Sequence, residues 1–340
     1  MGPRLSRRTF LAAAGTLAAG GRSAWADHDV HDYRLTTAGV GGTYYPVGVA
    51  LATLVKARLQ PTTGINLTAL ESAGSGENVT RLRNGDAEFA ILQGLFGHRA
   101  WTGSGEMSEV GPQQHLRSIT MLWPNVEHFV MRAADASTGT IADFAALKGR
   151  KVSLGKPRSG TIASNHALLG NLGLDVDADF ELVSLSYNAS ADALAAGEID
   201  GMSTPAGAPV AAVTRAIRAL GDDIVVLRFT PEQAAAADGG LALWTPFVVP
   251  AGTYPGQDAD LETIAQPNLL VTRNDIDPDA VYRIVRTIYE NLPFLRAIHG
   301  ATGAMALEHA VKGLPLPLHP GARRFYDEQG VRVPDRLILP

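Results

Sequence analysis

The sequence predicts an α/β fold of two lobes, each built on a mostly parallel β-sheet and joined to the other by two strands. Short apolar runs alternate with amphipathic stretches along the 340 residues, a rhythm that is typical of parallel sheets covered by helices. Two strand-like segments, 127–132 and 241–249, frame the middle of the chain. A domain inserted between two such crossings can close on the rest of the molecule like a hinge.

These crossings divide the chain into a discontinuous lobe and a continuous one. Residues 27–128 and 247–340 are predicted to form lobe 1, and residues 129–246 are predicted to form lobe 2. The C-terminal stretches 278–298 and 302–311 have helical spacing and should pack back on lobe 1.

Hydrophobic periodicity gives the individual elements in order. In lobe 1 we expect strands at 33–37, 65–70 and 89–92, with helices at 46–59 and 77–84. In lobe 2 we expect strands at 151–154, 180–183 and 224–227, with helices after Gly160 and at 190–196.

The N-terminus is predicted to be an export signal. Arg7 and Arg8 precede an uncharged run at 10–19, and a small-x-small cleavage pattern ends at Ala26. This is the pattern of a twin-arginine signal peptide, covering residues 1–26. A permanent transmembrane helix needs about 20 apolar residues, and the run at 10–19 is shorter. We therefore expect the signal peptide to be cleaved off; the alternative is an N-terminus that stays tethered to the membrane. The mature chain is expected to be periplasmic.

Composition argues against several classes of function. The chain has no cysteine, which excludes disulfides, thiolate metal sites and thiol nucleophiles. Loss of the four signal-peptide arginines would take the net charge from −5 to −9, so binding to nucleic acid through bulk charge is not expected. The histidines lack metal-ligand spacing, and the Asp/His-rich stretch 27–32 is only a weak alternative. We therefore predict no metal and no cofactor.

Three Gly/Ser/Thr-rich loops follow predicted strands, where ligands bind in open parallel sheets. In the first loop, glycines such as Gly42 permit close backbone approach. Free N–H groups there, with the Thr43 hydroxyl, would form an anion site at the start of a helix, and the Tyr44 side chain would line one side of that site. The alternative is a plain strand-to-helix turn.

The second and third loops offer hydroxyl and amide donors. Ser75 is a predicted N-cap with Asn78 in the following turn, and Ser159 and Thr161 flank the start of a later helix. Arg158 opposes the dipole of that helix, which an acidic ligand would compensate. The alternatives are simple capping and a solvated arginine. No His/Asp pair is placed to activate a serine, so no catalytic residue is predicted.

In joint order and spacing, several segments resemble the TAXI family of solute-binding proteins, which serve tripartite ATP-independent periplasmic (TRAP) transporters. The matching segments are GGTYYPVG (41–48), GSGEN (74–78), AEFAILQ (87–93), LKGRKVSLG (147–155), SGT (159–161), GEIDG (197–201), YPGQ (254–257) and LHPGARRFY (318–326).

The resemblance implies a type II periplasmic binding protein fold with two hinge strands. It implies capture of an amino acid or a dicarboxylate such as glutamate or 2-oxoglutarate, and delivery to TRAP membrane permease subunits by a monomer. By analogy, the ligand contacts lie at Gly42, Thr43, Tyr44, Ser75, Asn78, Gln93, Arg158, Ser159, Gly160 and Thr161. Two departures prevent transfer of ligand identity: Arg158 replaces a family glycine, and Gly94-Leu95 replaces Ser-Asp after Gln93.

Two other functional classes stay open at this point. A sensory protein that reports to a membrane kinase would have the same cleft. An exported hydrolase using Ser75 or Ser159 would need a base that the sequence does not place beside either serine.

Overall fold

The computed structural model describes residues 30–339, and the predicted signal peptide lies outside them. The strands of this part of the chain are β1 (His31–Thr36), β2 (Ile65–Leu70), β3 (Phe89–Gln93), β4 (Leu116–Val126), β5 (Phe129–Arg132), β6 (Lys151–Ser153), β7 (Glu181–Leu182), β8 (Gly201–Ser203), β9 (Ile224–Val226), β10 (Thr245–Val249) and β11 (Leu261–Arg273).

Its α-helices are α1 (Tyr44–Thr63), α2 (Ser75–Asn84), α3 (Gly94–Thr102), α4 (Gly160–Asn171), α5 (Val176–Asp179), α6 (Tyr187–Ala196), α7 (Ala211–Leu220), α8 (Pro231–Asp238), α9 (Pro278–Glu290), α10 (Leu292–Ile298) and α11 (Pro320–Glu328). None of the helices within residues 30–339 has the length and hydropathy that a membrane crossing requires.

Two sheets form the two lobes of the molecule. The larger sheet has the order β10-β11-β3-β1-β2, with β4 also paired to β11, and the smaller sheet has the order β7-β6-β8-β5-β9. The larger sheet thus combines strands from both ends of the chain, while the smaller sheet is continuous in sequence. The predicted boundary at 246/247 falls inside β10, so the exact lobe limits stay a prediction.

The predicted α/β fold of two lobes is confirmed, and its sheets are mixed where mostly parallel sheets were expected. Strand β1 runs parallel to β2 and β3, and β6 runs parallel to β7 and β8. Strand β11 is antiparallel to β3, β4 and β10, and β5 is antiparallel to β8 and β9. Strands β4 and β10 are both antiparallel to β11 and so run in the same direction, and the chain reverses between β10 and β11 at residues 250–260.

Apolar packing follows the two sheets. One core covers the larger sheet and includes the fully buried Trp123 and Tyr326. Two further clusters lie against the smaller sheet, with Phe129 and Met131 in one and Val130 in the other. Successive residues of a strand point to opposite faces, so β5 contributes to the cores on both sides of its sheet.

The two crossings between the lobes lie side by side. Glu127 and His128 connect β4 of the larger sheet to β5 of the smaller one, and Trp244 immediately precedes β10 on the return. The indole Nε1 of Trp244 donates to Glu127 Oε1 at 2.9 Å, and the Thr263 hydroxyl donates to the Glu127 carbonyl at 2.8 Å. These buried bonds join the crossings into one hinge.

The C-terminal prediction was partly wrong. Helices α9 and α10 confirm the helical spacing at 278–298. The stretch 302–311 instead contains short 3-10 turns, Gly300–Ala304 and Leu307–His309. A 3-10 turn also places apolar residues three apart on one side, so the spacing alone did not separate the two structures.

Candidate functional site

A cavity of about 80 Å³ lies between the two lobes. This volume would hold several water molecules, which is the scale of a small metabolite. The larger-sheet lobe contributes the lining residues Ala38, Gly39, Gly41, Gly42, Thr43, Tyr44, Ser72, Ala73, Gly74, Ser75, Gln93 and Asn125. The smaller-sheet lobe contributes Lys156, Ser159, Gly160, Thr161, Leu185, Ser186, Tyr187, Pro205 and Ala206.

Four helix N-termini converge on this cavity, two from each lobe. The first residues of α1, α2, α4 and α6, which are Tyr44, Ser75, Gly160 and Tyr187, all line it. A helix N-terminus carries a partial positive charge and unpaired N–H groups. The cavity is therefore suited to an anion, even though the chain as a whole is acidic.

The four N-termini differ in how their N–H groups are satisfied. The Ser159 hydroxyl accepts from Ile162 N in α4, and the Ser186 hydroxyl accepts from Ala189 N in α6. Helices α1 and α2 have no side-chain cap, because Gly74 precedes α2 and the Thr43 hydroxyl is used elsewhere. The third N–H group of α2 bonds the Arg158 carbonyl, and the third residue of α1 is Pro46, so in all four helices the N–H groups of the first two residues remain for an anionic ligand.

The structure brings eight of the ten predicted site residues together at the cavity. They are Gly42, Thr43, Tyr44, Ser75, Gln93, Ser159, Gly160 and Thr161. Their role as ligand contacts stays a prediction, but their convergence follows from the strand-to-helix turns that carry them.

Asn78 does not line the cavity. Its Oδ1 accepts from the hydroxyls of Thr36 and Ser72, each at 2.7 Å. Its Nδ2 donates to the carbonyls of Thr37 and Ile91, at 2.7 and 2.9 Å. These four bonds use both lone pairs and both protons of the amide, so Asn78 ties α2 to the sheet and has no capacity left for a ligand.

Arg158 also lies outside the cavity lining, and its side chain is 71% exposed. Its carbonyl accepts from Glu77 N at 3.2 Å, and its guanidinium lies 3.9 Å from the Glu77 carboxylate across the lobe interface. The cation that seemed uncompensated at the start of α4 therefore has an acidic partner in the other lobe. Its φ of 63° is in the left-handed region, which explains why glycine is usual at this place in the family that the sequence resembles.

Tyr187, Asn125 and Lys156 line the cavity but were not predicted as ligand contacts. Tyr187 OH lies 2.7 Å from the Thr161 hydroxyl and donates to the Pro205 carbonyl at 2.8 Å. Lys156 is the only charged residue in the described lining. Ser186 as an N-cap before α6 was an available signal for Tyr187, whereas Asn125 lies within a strand and gave none.

Hydrogen bonds across the cleft hold the lobes together. The Thr43 hydroxyl both donates to Gly207 O and accepts from Gly207 N, each at 3.1 Å. The Ser164 hydroxyl of α4 donates to Gln93 Oε1 at 3.0 Å and accepts from Gln266 Nε2 at 3.0 Å. The structure is therefore a closed arrangement of the two lobes.

Burial sets the protonation state of the cavity's phenols. Desolvation raises the pKa of Tyr44 and of Tyr187 well above 10, so both hydroxyls keep their protons at neutral pH. At the hinge, burial raises the pKa of Glu127 to about 7.

The described lining offers no partner for nucleophilic or metal chemistry. It contains no histidine, aspartate or glutamate. Ser75 Oγ accepts from Gln93 N, and Ser159 Oγ donates to Lys156 O. Within residues 30–339, no three His, Cys, Asp or Glu side chains are grouped closely enough to hold a metal ion.

Comparison with known proteins gives one family match and several structural ones. Residues 35–330 match the model of a family described as NMT1-like. A protein of Bordetella bronchiseptica RB50 has a TM-score of 0.51 at 12% identity, over 91% of this chain and 85% of that one.

Two binding proteins are more distant in structure. The alkanesulfonate-binding protein SsuA of Xanthomonas axonopodis pv. citri, bound to MOPS, has a TM-score of 0.45 at 14% identity, over 89% of this chain and 85% of that one. The periplasmic aliphatic sulphonate binding protein SsuA of Escherichia coli has the same TM-score and identity, over 89% and 94%. The architecture is an α/β fold of two lobes with mixed sheets, and the Bordetella protein shares this fold.

Proposed function

Because this chain belongs to the NMT1-like family, we propose that it is a periplasmic solute-binding protein that captures a small carboxylate between its lobes and delivers it to a membrane permease. The mature protein begins after a twin-arginine signal peptide and acts as a monomer. Lobe 1 comprises residues 27–128 and 247–340, and lobe 2 comprises residues 129–246.

The single observation that carries this proposal is the convergence of four helix N-termini on one cavity between the lobes. A carboxylate placed there accepts hydrogen bonds from main-chain N–H groups and interacts favourably with the helix dipoles. Because both lobes contribute two helices, the anion is best bound when they are closed, which couples binding to hinge motion.

Binding without chemical change is the function that the lining supports. A serine hydrolase needs a base in hydrogen-bond reach of its nucleophile. Ser75 and Ser159 instead bond main-chain groups of Gln93 and Lys156. The alternative of an exported hydrolase therefore finds no support in the residues that line the cavity.

The resemblance to TAXI proteins supports a TRAP permease as the membrane partner. Purified protein, a candidate TRAP permease and labelled substrate in proteoliposomes would test this partnership. We expect uptake driven by an imposed ion gradient without ATP. Uptake that needs ATP, or a kinase in place of the permease, would contradict the TRAP assignment and leave the binding function intact.

Ligand binding itself is tested by thermal unfolding of residues 27–340 with a panel of amino acids, 2-oxo acids and dicarboxylates, including glutamate and 2-oxoglutarate. A ligand at 100 times its Kd stabilises the folded state by about 2.7 kcal/mol. We expect such stabilisation from at least one carboxylate and from none of the matched neutral amides. A panel without any stabilising carboxylate, or with turnover of one, would overturn the proposal.

A further inference from the structure

We propose that the ligand of the inter-lobe cavity is an organic anion without an ammonium group, and that it presents an oxygen acceptor to Asn125. This inference rests on the proposed function and narrows it. It divides the carboxylates into two classes, 2-amino acids on one side and 2-oxo, 2-hydroxy or plain carboxylates on the other.

The charges around the cavity are the first step. Its described lining contains no acidic side chain and one cation, Lys156, and it receives four helix N-termini. An ammonium group there would face partial positive charge from both lobes and would lose its hydration without gaining an anionic partner. Buried charges without a partner are strongly disfavoured.

Three acidic residues lie close to residues of the lining, and hydrogen bonds hold two of them. The Glu77 carboxylate bonds Ala73 N and pairs with Arg81 and Arg158. Glu127 is buried at the hinge, where Trp244 donates to its Oε1. Glu71 is exposed to solvent, although its Oε1 would lie 3.7 Å from a Cβ on the lining residue Gly39. None of these three acids is among the lining residues.

The orientation of the Asn125 amide is the second, independent step. The Tyr44 hydroxyl donates to Asn268 Oδ1, and Asn268 Nδ2 donates to Asn125 Oδ1 at 3.3 Å. In this chain of bonds the Tyr44 phenol, which keeps its proton, has an acceptor in Asn268 Oδ1, and Asn268 in turn uses the oxygen of Asn125. The Asn125 oxygen is therefore used, and its Nδ2 is the free end.

Asn125 Nδ2 is a buried donor without a partner. Asn125 is 1% exposed, lines the cavity, and has no hydrogen-bond acceptor for Nδ2 within the described residues. An unpaired buried donor costs about 1–3 kcal/mol, which a ligand oxygen would recover. A ligand ammonium has only donors to offer and would leave Nδ2 unpaired.

Matched ligands test the class. We would titrate residues 27–340 calorimetrically with alanine, pyruvate, lactate and propionate, and with the same four substituents on the C4 and C5 dicarboxylate skeletons. In each set that binds, we expect the 2-amino acid to be at least tenfold weaker than the best other member. A 2-amino acid that binds as tightly as the others, or more tightly, would overturn the inference while supporting the carboxylate function. Absence of binding in all sets would overturn both.

Asn125→Asp tests the named residue. Aspartate keeps the oxygen that accepts from Asn268 and replaces only the free donor. We expect the affinity for the tightest-binding ligand without an ammonium group to fall at least tenfold. The ratio of that affinity to the affinity for the 2-amino analogue should also decrease. The exposed Asn274→Asp makes the same charge change in the same lobe and should leave both affinities unchanged. Asn125→Ala removes the donor without adding charge and decides the matter if Asn125→Asp fails to fold. An unaltered preference in a folded Asn125 variant would refute the assignment.

Discussion

Glu127 is a buried carboxyl group at the hinge, and no cation among residues 30–339 pairs with it. Its side chain is fully buried, Trp244 donates to Oε1, and Oε2 has no partner within the described residues. Desolvation raises its pKa from 4.5 to about 7, and the polar side chains of Trp244 and Gln266 oppose the rise. The group therefore makes folding stability depend on pH near neutrality.

The direction of this dependence follows from proton binding. Between pH 4.5 and about 7 the folded state keeps a proton on Glu127 that the unfolded chain releases, so stability falls as pH rises through this range. Above pH 7 the full cost is about 3 kcal/mol, since one pKa unit is about 1.4 kcal/mol. The adjacent His128 acts in the opposite sense, because burial lowers its pKa to about 4 and stability falls as pH drops below 6.5.

Glu127→Gln should separate the pH dependence of stability due to Glu127 from that due to His128. Glutamine keeps an acceptor for Trp244 and cannot ionise, so the variant should be more stable than the wild type by up to about 3 kcal/mol at pH 8. That advantage should shrink to about 1 kcal/mol at pH 5. Urea unfolding at both pH values measures the difference. The exposed Glu109→Gln should show no change, and an equal effect at both pH values would contradict the assigned pKa.

At the scale of one element, the first residue of α4 sets how closely the lobes approach. A Cβ on Gly160 would lie 2.6 Å from Gln93 Cδ and 2.9 Å from Ser75 Oγ, and it would clash with Gln93 Oε1. Neither neighbour is free to move, because Ser164 donates to Gln93 Oε1 and Gln93 N donates to Ser75 Oγ. Glycine is therefore required here for close approach of backbone and side chain.

Gly160→Ala is expected to obstruct closure without unfolding either lobe. We predict at least a tenfold loss of affinity for the best carboxylate in the panel, measured calorimetrically, with little change in thermal stability of the free protein. Gly170→Ala is the matched control in the same helix, because a Cβ there has no neighbour within 4 Å. It should stabilise by about 0.5–1 kcal/mol and bind normally. Normal binding by Gly160→Ala would contradict the closed arrangement.

The sequence predicted the elements that are local and missed those that depend on pairing. The loops before α1, α2 and α4 were predicted because glycine, serine and threonine signal strand-to-helix turns. Strands β4 and β11 were missed. Their partners lie far apart in sequence, from Leu116 to Arg273 in one ladder, so no local spacing reports the pairing.

The same limit applies to individual site residues. Asn125 lies in the apolar strand β4, and only the folded structure shows that one end of its amide is free. Arg158 seemed to need an acidic ligand because its partner Glu77 is 81 positions away and in the other lobe. Asn78 seemed available because its four bonds are made to three other segments. Sequence can place polar groups near a cleft, but their hydrogen-bond partners decide which groups remain free.

At the scale of the whole molecule, binding depends on an equilibrium between open and closed lobes. The Thr43 side chain joins the lobes through two hydrogen bonds, because its hydroxyl donates to Gly207 O and accepts from Gly207 N. Both groups are buried in the closed form. On opening, water can replace these bonds, so their loss affects closure more than folding.

Thr43→Val should therefore shift the molecule toward the open form. Valine has the shape of threonine but leaves the Gly207 N–H and C=O unpaired when the lobes close, at a cost of about 1–3 kcal/mol. Since each 1.4 kcal/mol is a factor of ten, we expect a five- to hundredfold loss of carboxylate affinity with nearly unchanged urea unfolding. X-ray scattering of the free variant should show a larger radius of gyration than the wild type, which saturating ligand reduces. Thr68→Val, at an exposed position of β2, should match the wild type in both measurements. If Thr43→Val did so too, Thr43 would not control closure, and the coupling of binding to lobe motion would have to reside in the bonds among Gln93, Ser164 and Gln266.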